Sequence, residues 1–342
     1  MTDSTHRRDL APATIAVKSG FHSQPGEGIV PPIHVASTYN LPGEPIPGAM
    51  TYGRGENPAF AQIERPLAEL EHGVNAVAFN AGVSVAVAIF EEVAPGQALV
   101  LPNDIYFGFA VYARDVLAKR GVELRFVDMA DLDAVDKALD GAAFLWTETP
   151  TNPHLTLVDL EAIGKFAAKH GVPWACDNTF ASPMLQHPID YGAAASMHSA
   201  TKYIGGHSDI IMGIGVVADA SLAARLRKRR SQMGTQPSGF TCWLARRGLQ
   251  TLPLRIKQES ASALELTKRL SQHPNVEQVF YPGLPNHPGH EIAAKQMHGG
   301  FGGMFSFTVK GGQERAQAVI DRVQVWTPAT SLGGVESLIE RR

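Results

Sequence analysis

The sequence Ser199-Ala200-Thr201-Lys202-Tyr203 follows an apolar segment, Ala193–Met197, and continues into Ile204-Gly205-Gly206-His207-Ser208-Asp209. Short apolar segments bounded by polar and glycine residues are typical of strands buried in a sheet. We therefore predict that Lys202 lies just beyond the end of a buried strand, among small hydroxyl residues. Desolvation in such a place lowers the pKa of an amine and favours its nucleophilic form.

Outward from this stretch, short apolar segments alternate with helical patterns from about residue 60 to 250. The predicted strands include Gln97–Leu101, Leu124–Val127, Ala142–Trp146, Val172–Cys176 and Ile214–Val217. The helical patterns include Asn57–Glu71, Phe107–Arg120, Leu157–His170 and Ala220–Gln232. This alternation predicts an α/β fold with a mostly parallel sheet and helices on both faces.

Polar residues follow several of these strands. They are Asn103-Asp104, Thr147-Glu148-Thr149, Asp177-Asn178-Thr179 and His198-Ser199. Ligands of open α/β sheets bind at the carboxyl ends of strands, so we expect these residues to converge on one site. The amine of Lys202, the carboxylate of Asp177 and the hydroxyls of Ser199 and Thr201 suit pyridoxal phosphate (PLP), whose aldehyde bonds an amine and whose ring nitrogen needs an acid. The competing interpretation of Asp177 is a helix N-cap.

Composition bounds the other possibilities. The 342 residues are 44% hydrophobic and carry a formal net charge of -3, which gives no electrostatic footprint for nucleic acid or an anionic membrane. The two cysteines, Cys176 and Cys242, are far apart, so a disulfide framework is not expected. The polar start, Met1 to Leu10, is unlike a secretory signal. We predict a cytoplasmic protein with no membrane segment and no metal site.

The chain divides into three parts by pattern. Residues 1–50 are rich in proline and glycine and predict an irregular arm. Residues 51–249 hold the strand–helix alternation and form the predicted cofactor domain. Residues 250–342 predict a smaller α+β domain, with a strand at Met304–Val309 and a helix at Gln313–Val323.

Five motifs in order resemble the Cys/Met-metabolism family of PLP-dependent enzymes. They are Tyr52-Gly53-Arg54-Gly55-Glu56-Asn57-Pro58, Glu148-Thr149-Pro150-Thr151-Asn152-Pro153, Asp177-Asn178-Thr179-Phe180, His198–Asp209 and Ser331-Leu332-Gly333-Gly334-Val335-Glu336-Ser337-Leu338. The resemblance implies PLP fold type I, as in aspartate aminotransferase, with PLP as the cofactor.

The resemblance also assigns the residues that hold the cofactor. It implies that Lys202 forms the Schiff base and moves protons, and that Asp177 pairs with the pyridine nitrogen. Gly82 and Val83 would bind the phosphate through backbone N–H groups at a helix start, together with Ser199 and Thr201. The family usually has Ser-Gly-Met where this chain has Ala81-Gly82-Val83, so a side-chain contribution from the first position is lost.

Further residues are assigned to the ring, the substrate and a second subunit. Tyr106 resembles the tyrosine that stacks on the ring and assists proton transfer, while Asn152 and Ser331 are expected to contact substrate, Asn152 also the cofactor. Tyr52 and Arg54 resemble a pair that reaches the neighbouring subunit's cofactor phosphate, where the planar arginine makes paired bonds. The resemblance also implies a catalytic role for Tyr52, because either Tyr106 or Tyr52 of the neighbouring subunit is expected to assist departure of the leaving group. The family pattern thus implies a homodimer with a shared site, and a dimer of dimers.

Departures from the family pattern limit the expected activity. The resemblance implies elimination or replacement at Cβ or Cγ of sulfur amino acids or acyl homoserines, with cystathionine γ-synthase activity expected first. Cystathionine β- or γ-lyase and O-acylhomoserine sulfhydrylase activities are the alternatives. The family's carboxylate-binding arginine lies beyond Arg342, so we expect the small domain to be incomplete. A PLP-binding but catalytically impaired protein is therefore a further alternative.

Overall fold

The computed structural model describes residues 10–18, 20–41, 43 and 48–342. The strands are β1 Asn75–Phe79, β2 Ala98–Pro102, β3 Glu123–Val127, β4 Ala142–Glu148, β5 Trp174–Asp177, β6 Ala195–Ser199, β7 Gly213–Val217, β8 Val276–Phe280, β9 Ser306–Val309, β10 Thr327–Pro328 and β11 Leu338–Ile339. The helices are α1 Pro12–Lys18, α2 Pro58–Leu70, α3 Gly82–Phe90, α4 Phe107–Tyr112, α5 Leu132–Ala138, α6 Leu160–His170, α7 Ser182–Leu185, α8 Ala220–Met233, α9 Gly239–Leu249, α10 Leu252–Ser271, α11 His290–Gln296 and α12 Gly312–Ile320.

The central sheet of the described residues has seven strands in the order β1-β7-β6-β5-β4-β2-β3. Strands β3, β2, β4, β5 and β6 are parallel neighbours, whereas β7 runs antiparallel to both β6 and β1. The mostly parallel α/β sheet is therefore confirmed. Strand β1 was not predicted, and it closes the sheet beside β7.

Side chains of the central strands alternate between two buried layers. Trp146 packs with Phe90 of α3 on one face, at 5.0 Å between ring centroids. Its neighbour Leu145 packs with Trp174 on the other face, against α6. Continuous apolar strands are expected when helices cover both faces of a sheet, because every side chain is then buried.

Local sequence signals set the helix limits. The Asn57 side chain accepts a 2.9 Å hydrogen bond from the Ala59 N–H at the start of α2, and Pro58 occupies the first turn. Asp159 caps α6 in the same way, and Gly171 ends it with a left-handed backbone at φ 65. The predicted helical stretch from Cys242 to His273 is two helices, α9 and α10, which meet at Gln250 and Thr251.

The two ends of the chain add smaller elements. The predicted arm contains the short helix α1, and its residues 1–9, 19, 42 and 44–47 lie outside the described residues. Beyond α10, β8 pairs with β9, and β10 pairs with β11. The domain limits at 50 and 250 stay predictions. Among the described residues, no helix has the length and apolar character needed to cross a bilayer.

Candidate active site

The carboxyl ends of β4, β5 and β6 place Glu148, Asp177 and Ser199 at one edge of the sheet. Glu148 is the register partner of Asp177, and Asp177 is the register partner of Met197. Neighbouring residues in register point to the same face, so Glu148 and Asp177 lie side by side and Ser199 follows two residues after Met197 on that face. The sheet thus brings the predicted polar strand ends together.

Lys202 lies in the turn that leaves β6. Its Nζ donates a 2.7 Å hydrogen bond to Ser331 Oγ, although the two residues are 129 positions apart. Burial lowers the pKa of Lys202 below its ordinary value, and the Arg342 guanidinium lowers it further, while Glu340 and Asp177 act in the opposite direction. The amine is therefore held in place and is easier to deprotonate than a surface lysine.

Asp177 is 8% exposed and is held by its own loop. Its Oδ1 accepts hydrogen bonds from the Thr179 N–H at 3.0 Å and from the Thr179 hydroxyl at 2.5 Å. Burial raises the pKa of Asp177, whereas the Thr179 bonds lower it. The N-cap alternative is not what the structure has, because α7 begins at Ser182 without a side-chain cap.

Glu148 is a member of this site for which no individual role was predicted. Its Oε2 accepts a 2.8 Å hydrogen bond from the Tyr106 N–H, and the Asn152 backbone N–H bonds to the same carboxyl group. Burial raises the pKa of Glu148 well above its ordinary value, and the charge of Asp177 raises it further. The raised pKa favours the protonated form of Glu148, and its carboxyl group joins the Tyr106 and Asn152 loops. Its position after the apolar residues of β4 was the available signal.

The start of α3 is open to a ligand. Gly82 begins the helix, and Ala81 offers no side-chain cap to the free N–H groups of the first turn. A Cβ on Gly82 would lie 2.9 Å from Met197 Cε and 3.0 Å from Ser199 Cβ, so only glycine lets this helix start approach Ser199 so closely. Such uncapped N–H groups suit a phosphate.

The two hydroxyls predicted for phosphate differ in their surroundings. Ser199 Oγ makes no hydrogen bond within the described part of the chain, so it is available to a ligand. Thr201 Oγ1 accepts a 3.0 Å bond from the Met212 N–H and lies 3.3 Å from the Met212 carbonyl oxygen. The structure thus gives Thr201 a local partner, and its role toward phosphate stays a prediction.

Tyr106 and Asn152 lie at the rim of the site. Tyr106 is 41% exposed, and a Cβ on Gly108 would lie 2.8 Å from its ring, so the glycine lets the ring lie against the α4 backbone. Asn152 Oδ1 accepts a 3.3 Å bond from Arg342 Nη1. The Tyr106 ring is thus open to solvent on part of its surface, and the Asn152 side chain contacts the last residue of the sequence.

Tyr52 and Arg54 are separate from this cluster. The Arg54 guanidinium lies over the Tyr52 ring, 5.3 Å from its centroid, and both side chains are exposed. Neither hydrogen-bonds to Lys202 or Asp177 within the described residues. One chain therefore does not unite all the residues assigned to the site.

The residues present fit PLP. They supply an amine with a lowered pKa, a buried carboxyl group at the neighbouring strand end, an uncapped helix start and a free hydroxyl beside it. An exposed aromatic ring completes the set. These groups match the aldehyde, the ring nitrogen, the phosphate and the ring face of that cofactor.

Comparisons with known proteins agree with this fit. A family described as Cys/Met metabolism PLP-dependent enzyme matches residues 13–342. Cystathionine gamma-synthase of Mycobacterium leprae is 42% identical over 333 residues, which cover 96% of this chain and 86% of the relative. Cystathionine beta-lyase of Coxiella burnetii is 38% identical over 331 residues, or 96% of this chain and 85% of the relative.

A solved structure extends the comparison to the fold. Cystathionine gamma synthase from Xanthomonas oryzae pv. oryzae, in complex with cystathionine, superposes with a TM-score of 0.93 at 37% identity, over 97% of this chain and 86% of that one. The predicted PLP fold type I and the PLP cofactor are therefore confirmed. The comparisons give no support to the alternative of an impaired, truncated protein.

Proposed function

This chain belongs to the Cys/Met metabolism family of PLP-dependent enzymes, and we propose that its reaction is γ-replacement, which joins cysteine to an O-acyl homoserine to give cystathionine. The enzyme acts in transsulfuration as a PLP-dependent carbon–sulfur lyase or transferase. The observation that carries the choice of γ-replacement is the higher identity to the relative named a γ-synthase than to the relative named a β-lyase.

The cofactor, when bound, supplies an electron sink for the carbanion at the substrate's α carbon. Gly82 and Val83 would hold the phosphate through their backbone N–H groups, and Ser199 would add its hydroxyl. Asp177 would keep a proton on the ring nitrogen, because its carboxylate is fixed by Thr179. Tyr106 would cover the exposed face of the ring.

Lys202 is proposed to move protons at the substrate's α and β carbons. Its lowered pKa leaves more of the amine unprotonated near neutral pH, which a general base needs. Ser331 Oγ would guide the amine between these positions, since it accepts a hydrogen bond from Nζ. Asn152 would contact the substrate α-carboxylate. Tyr106 would assist cleavage of the Cγ–O bond, by which the acyl group and its oxygen leave as a carboxylate while the cysteine sulfur bonds to Cγ.

A second subunit would complete the site. Tyr52 and Arg54 are exposed and turned to each other rather than to Lys202, which supports a role toward the phosphate of a neighbouring copy. The proposed assembly is a homodimer with shared sites, paired into a dimer of dimers. A cytoplasmic location stays part of the proposal and is supported by two buried free cysteines, Cys176 and Cys242.

A substrate panel tests the reaction type. The holoenzyme is given O-acyl homoserine with cysteine, O-acyl homoserine with sulfide, and cystathionine alone, and the rates of cystathionine, homocysteine and keto-acid formation are measured. We expect kcat/KM for cystathionine formation to exceed the other two by at least about tenfold, or about 1.4 kcal/mol of transition-state stabilisation.

Two results would contradict γ-replacement with cysteine and would favour a different reaction of the family. Faster cleavage of cystathionine to a keto acid would favour a lyase, the activity in the name of the C. burnetii relative. Faster use of sulfide would favour a sulfhydrylase. The Lys202→Ala variant is the negative control in each of the three substrate assays.

A further inference from the structure

Two histidines and an aspartate meet on the surface at the end of α2. His72 Nδ1 lies 2.9 Å from both carboxylate oxygens of Asp190, and His187 Nδ1 lies 4.0 Å from Asp190 Oδ2. The imidazole rings of His72 and His187 stack at 4.4 Å between centroids. One donor atom from each residue lies within 4.8 Å of the other two. The proposed reaction uses none of these side chains.

The cluster joins two segments that are distant in sequence. His72 follows the C-cap of α2 with a left-handed backbone at φ 59. Asp190 belongs to a single turn of 3-10 helix, Pro188–Tyr191, that leads toward β6, and His187 is the residue that precedes this turn. His72 and Asp190 are 118 positions apart in the sequence. No metal site was predicted from the sequence.

His187 is oriented as a metal-binding histidine is. Its Nε2 is 2.9 Å from the Pro183 carbonyl oxygen, which can only accept, so the ring carries its proton on Nε2. Nδ1 is then left with a free lone pair that faces Asp190. Metal-bound histidines have their second nitrogen fixed in this way by a backbone carbonyl or a carboxylate. The His187 side chain is only 17% exposed, so the surrounding residues restrict the orientation of its ring.

The other two donors have room to adjust. The side chains of His72 and Asp190 are 51% and 47% exposed. Four-coordinate metal bonds of about 2.0–2.1 Å place neighbouring donors roughly 3.3 Å apart, so the rings must unstack by a rotation of His72. The residue before His72, the buried Glu71, is not available as a ligand, because it hydrogen-bonds to His198 and Asn178.

We propose that His72, His187 and Asp190 bind one divalent transition-metal ion per chain, such as Zn²⁺ or Ni²⁺, with water completing the coordination. Two imidazoles and one carboxylate suit these ions, whereas Mg²⁺ and Ca²⁺ require mostly oxygen donors. A bound ion would tie the end of α2 to the segment before β6. The site is distinct from the cofactor site and does not depend on the proposed reaction.

The test is isothermal titration calorimetry, in which the untagged holoenzyme is titrated with Zn²⁺, Ni²⁺ and Mg²⁺ in separate experiments. We expect one equivalent of Zn²⁺ or Ni²⁺ per chain and no saturable binding of Mg²⁺. The variants His72→Ala and Asp190→Asn, both at exposed positions, should each weaken Zn²⁺ and Ni²⁺ binding by at least about tenfold. His170→Gln is the matched control, because His170 pairs with Asp136 at 2.8 Å and the cluster of three does not include it.

A second readout guards against misfolded variants. Far-UV circular dichroism and the thermal unfolding midpoint are recorded for each variant, and Zn²⁺ should raise that midpoint in the native protein and in His170→Gln only. The proposal is overturned if no one-equivalent binding occurs, if Mg²⁺ binds as well as Zn²⁺, or if folded His72→Ala and Asp190→Asn bind Zn²⁺ as the native protein does.

Discussion

Lys202 Nζ and Ser331 Oγ share a 2.7 Å hydrogen bond that connects the edge of the central sheet to a loop near residue 330. Ser331 has an uncommon left-handed backbone at φ 110. A Cβ on the nearby Gly333 would lie 2.6 Å from the Tyr203 N and 2.9 Å from the Lys202 carbonyl carbon. The loop is thus pressed onto the turn that carries the lysine, and it fixes the position of the amine.

Replacing Ser331 by alanine tests whether this bond guides the amine. Ser331→Ala removes the acceptor and leaves the rest of the turn intact, so we expect kcat/KM to fall by about tenfold or more through loss of orientation. PLP content, measured by absorbance after release in alkali, should stay unchanged. Ser337→Ala, at an exposed serine, is the control, and an equal loss in that variant would contradict the role of Ser331.

Glu148 is predicted to act as a neutral hydrogen-bond acceptor for the Tyr106 N–H. Glutamine has the same length and keeps an acceptor oxygen, so Glu148→Gln should retain kcat/KM within about threefold. Glu148→Ala leaves the N–H groups of Tyr106 and Asn152 unpaired, which costs about 1–3 kcal/mol and should lower kcat/KM by about tenfold or more. Steady-state kinetics at pH 7.5 measure kcat/KM for both variants. A loss of activity in both would contradict the neutral role and show that the charge of Glu148 is needed.

Glu259 on α10 makes stability depend on pH. Burial raises the pKa of Glu259 from 4.5 to about 7, although Arg255 lowers it, and its Oε2 has no hydrogen-bond partner among the described residues. Between pH 4.5 and about 7 the unfolded chain releases this proton and the folded chain keeps it. Proton binding by Glu259 therefore stabilises the folded chain most at low pH. This stabilisation is lost from the wild-type free energy of unfolding as pH rises through that window.

The matching variant is Glu259→Gln, which does not titrate. Its free energy of unfolding relative to wild type should rise from pH 4.5 to about 7 and then level off. After discounting for partial exposure, the total rise is about 1–3 kcal/mol. Urea unfolding at four pH values measures it. A difference that stays flat with pH, or falls, would contradict the raised pKa.

The shared site predicts that two inactive variants restore each other. Arg54→Ala and Lys202→Ala would each be inactive as homodimers, because the first lacks the phosphate ligand for its partner and the second lacks the amine. In a mixed dimer both defects fall on one site and the other site is intact. Co-expression at equal levels should recover about a quarter of the wild-type activity per chain, because half of the dimers are mixed. Activity no higher than the sum of the separate variants would contradict a shared site.

The sequence predicted those parts of the fold that depend on local pattern. The apolar segments of β2 to β7 and the polar residues after them are continuous in sequence, so the sheet edge with Asp177 and Ser199 was foreseeable. Strand β8 was missed because only one of its five residues, Val279, is buried, and Phe280 was interpreted as part of a turn. The role of Glu148 depends on the Tyr106 loop, 42 residues away, which no spacing rule reveals.

Residues brought together only by tertiary structure were beyond the sequence analysis. The Lys202–Ser331 bond depends on how the loop near residue 330 folds onto the sheet, and the cluster of His72, His187 and Asp190 depends on the packing of α2 beside the turn before β6. The family resemblance supplied Ser331 as a candidate for substrate contact, whereas the structure places it first against Lys202.

Reduction with borohydride tests whether Lys202 is the lysine that carries PLP. The holoenzyme is treated with borohydride, which fixes the cofactor to the lysine that holds it, and the digested chain is mapped by mass spectrometry. We predict that the peptide containing Lys202 carries the cofactor's mass and that no other lysine peptide does to a comparable extent. Labelling of a different lysine, with an unmodified Lys202 peptide in fully loaded enzyme, would contradict the assignment of Lys202 as the lysine that carries PLP.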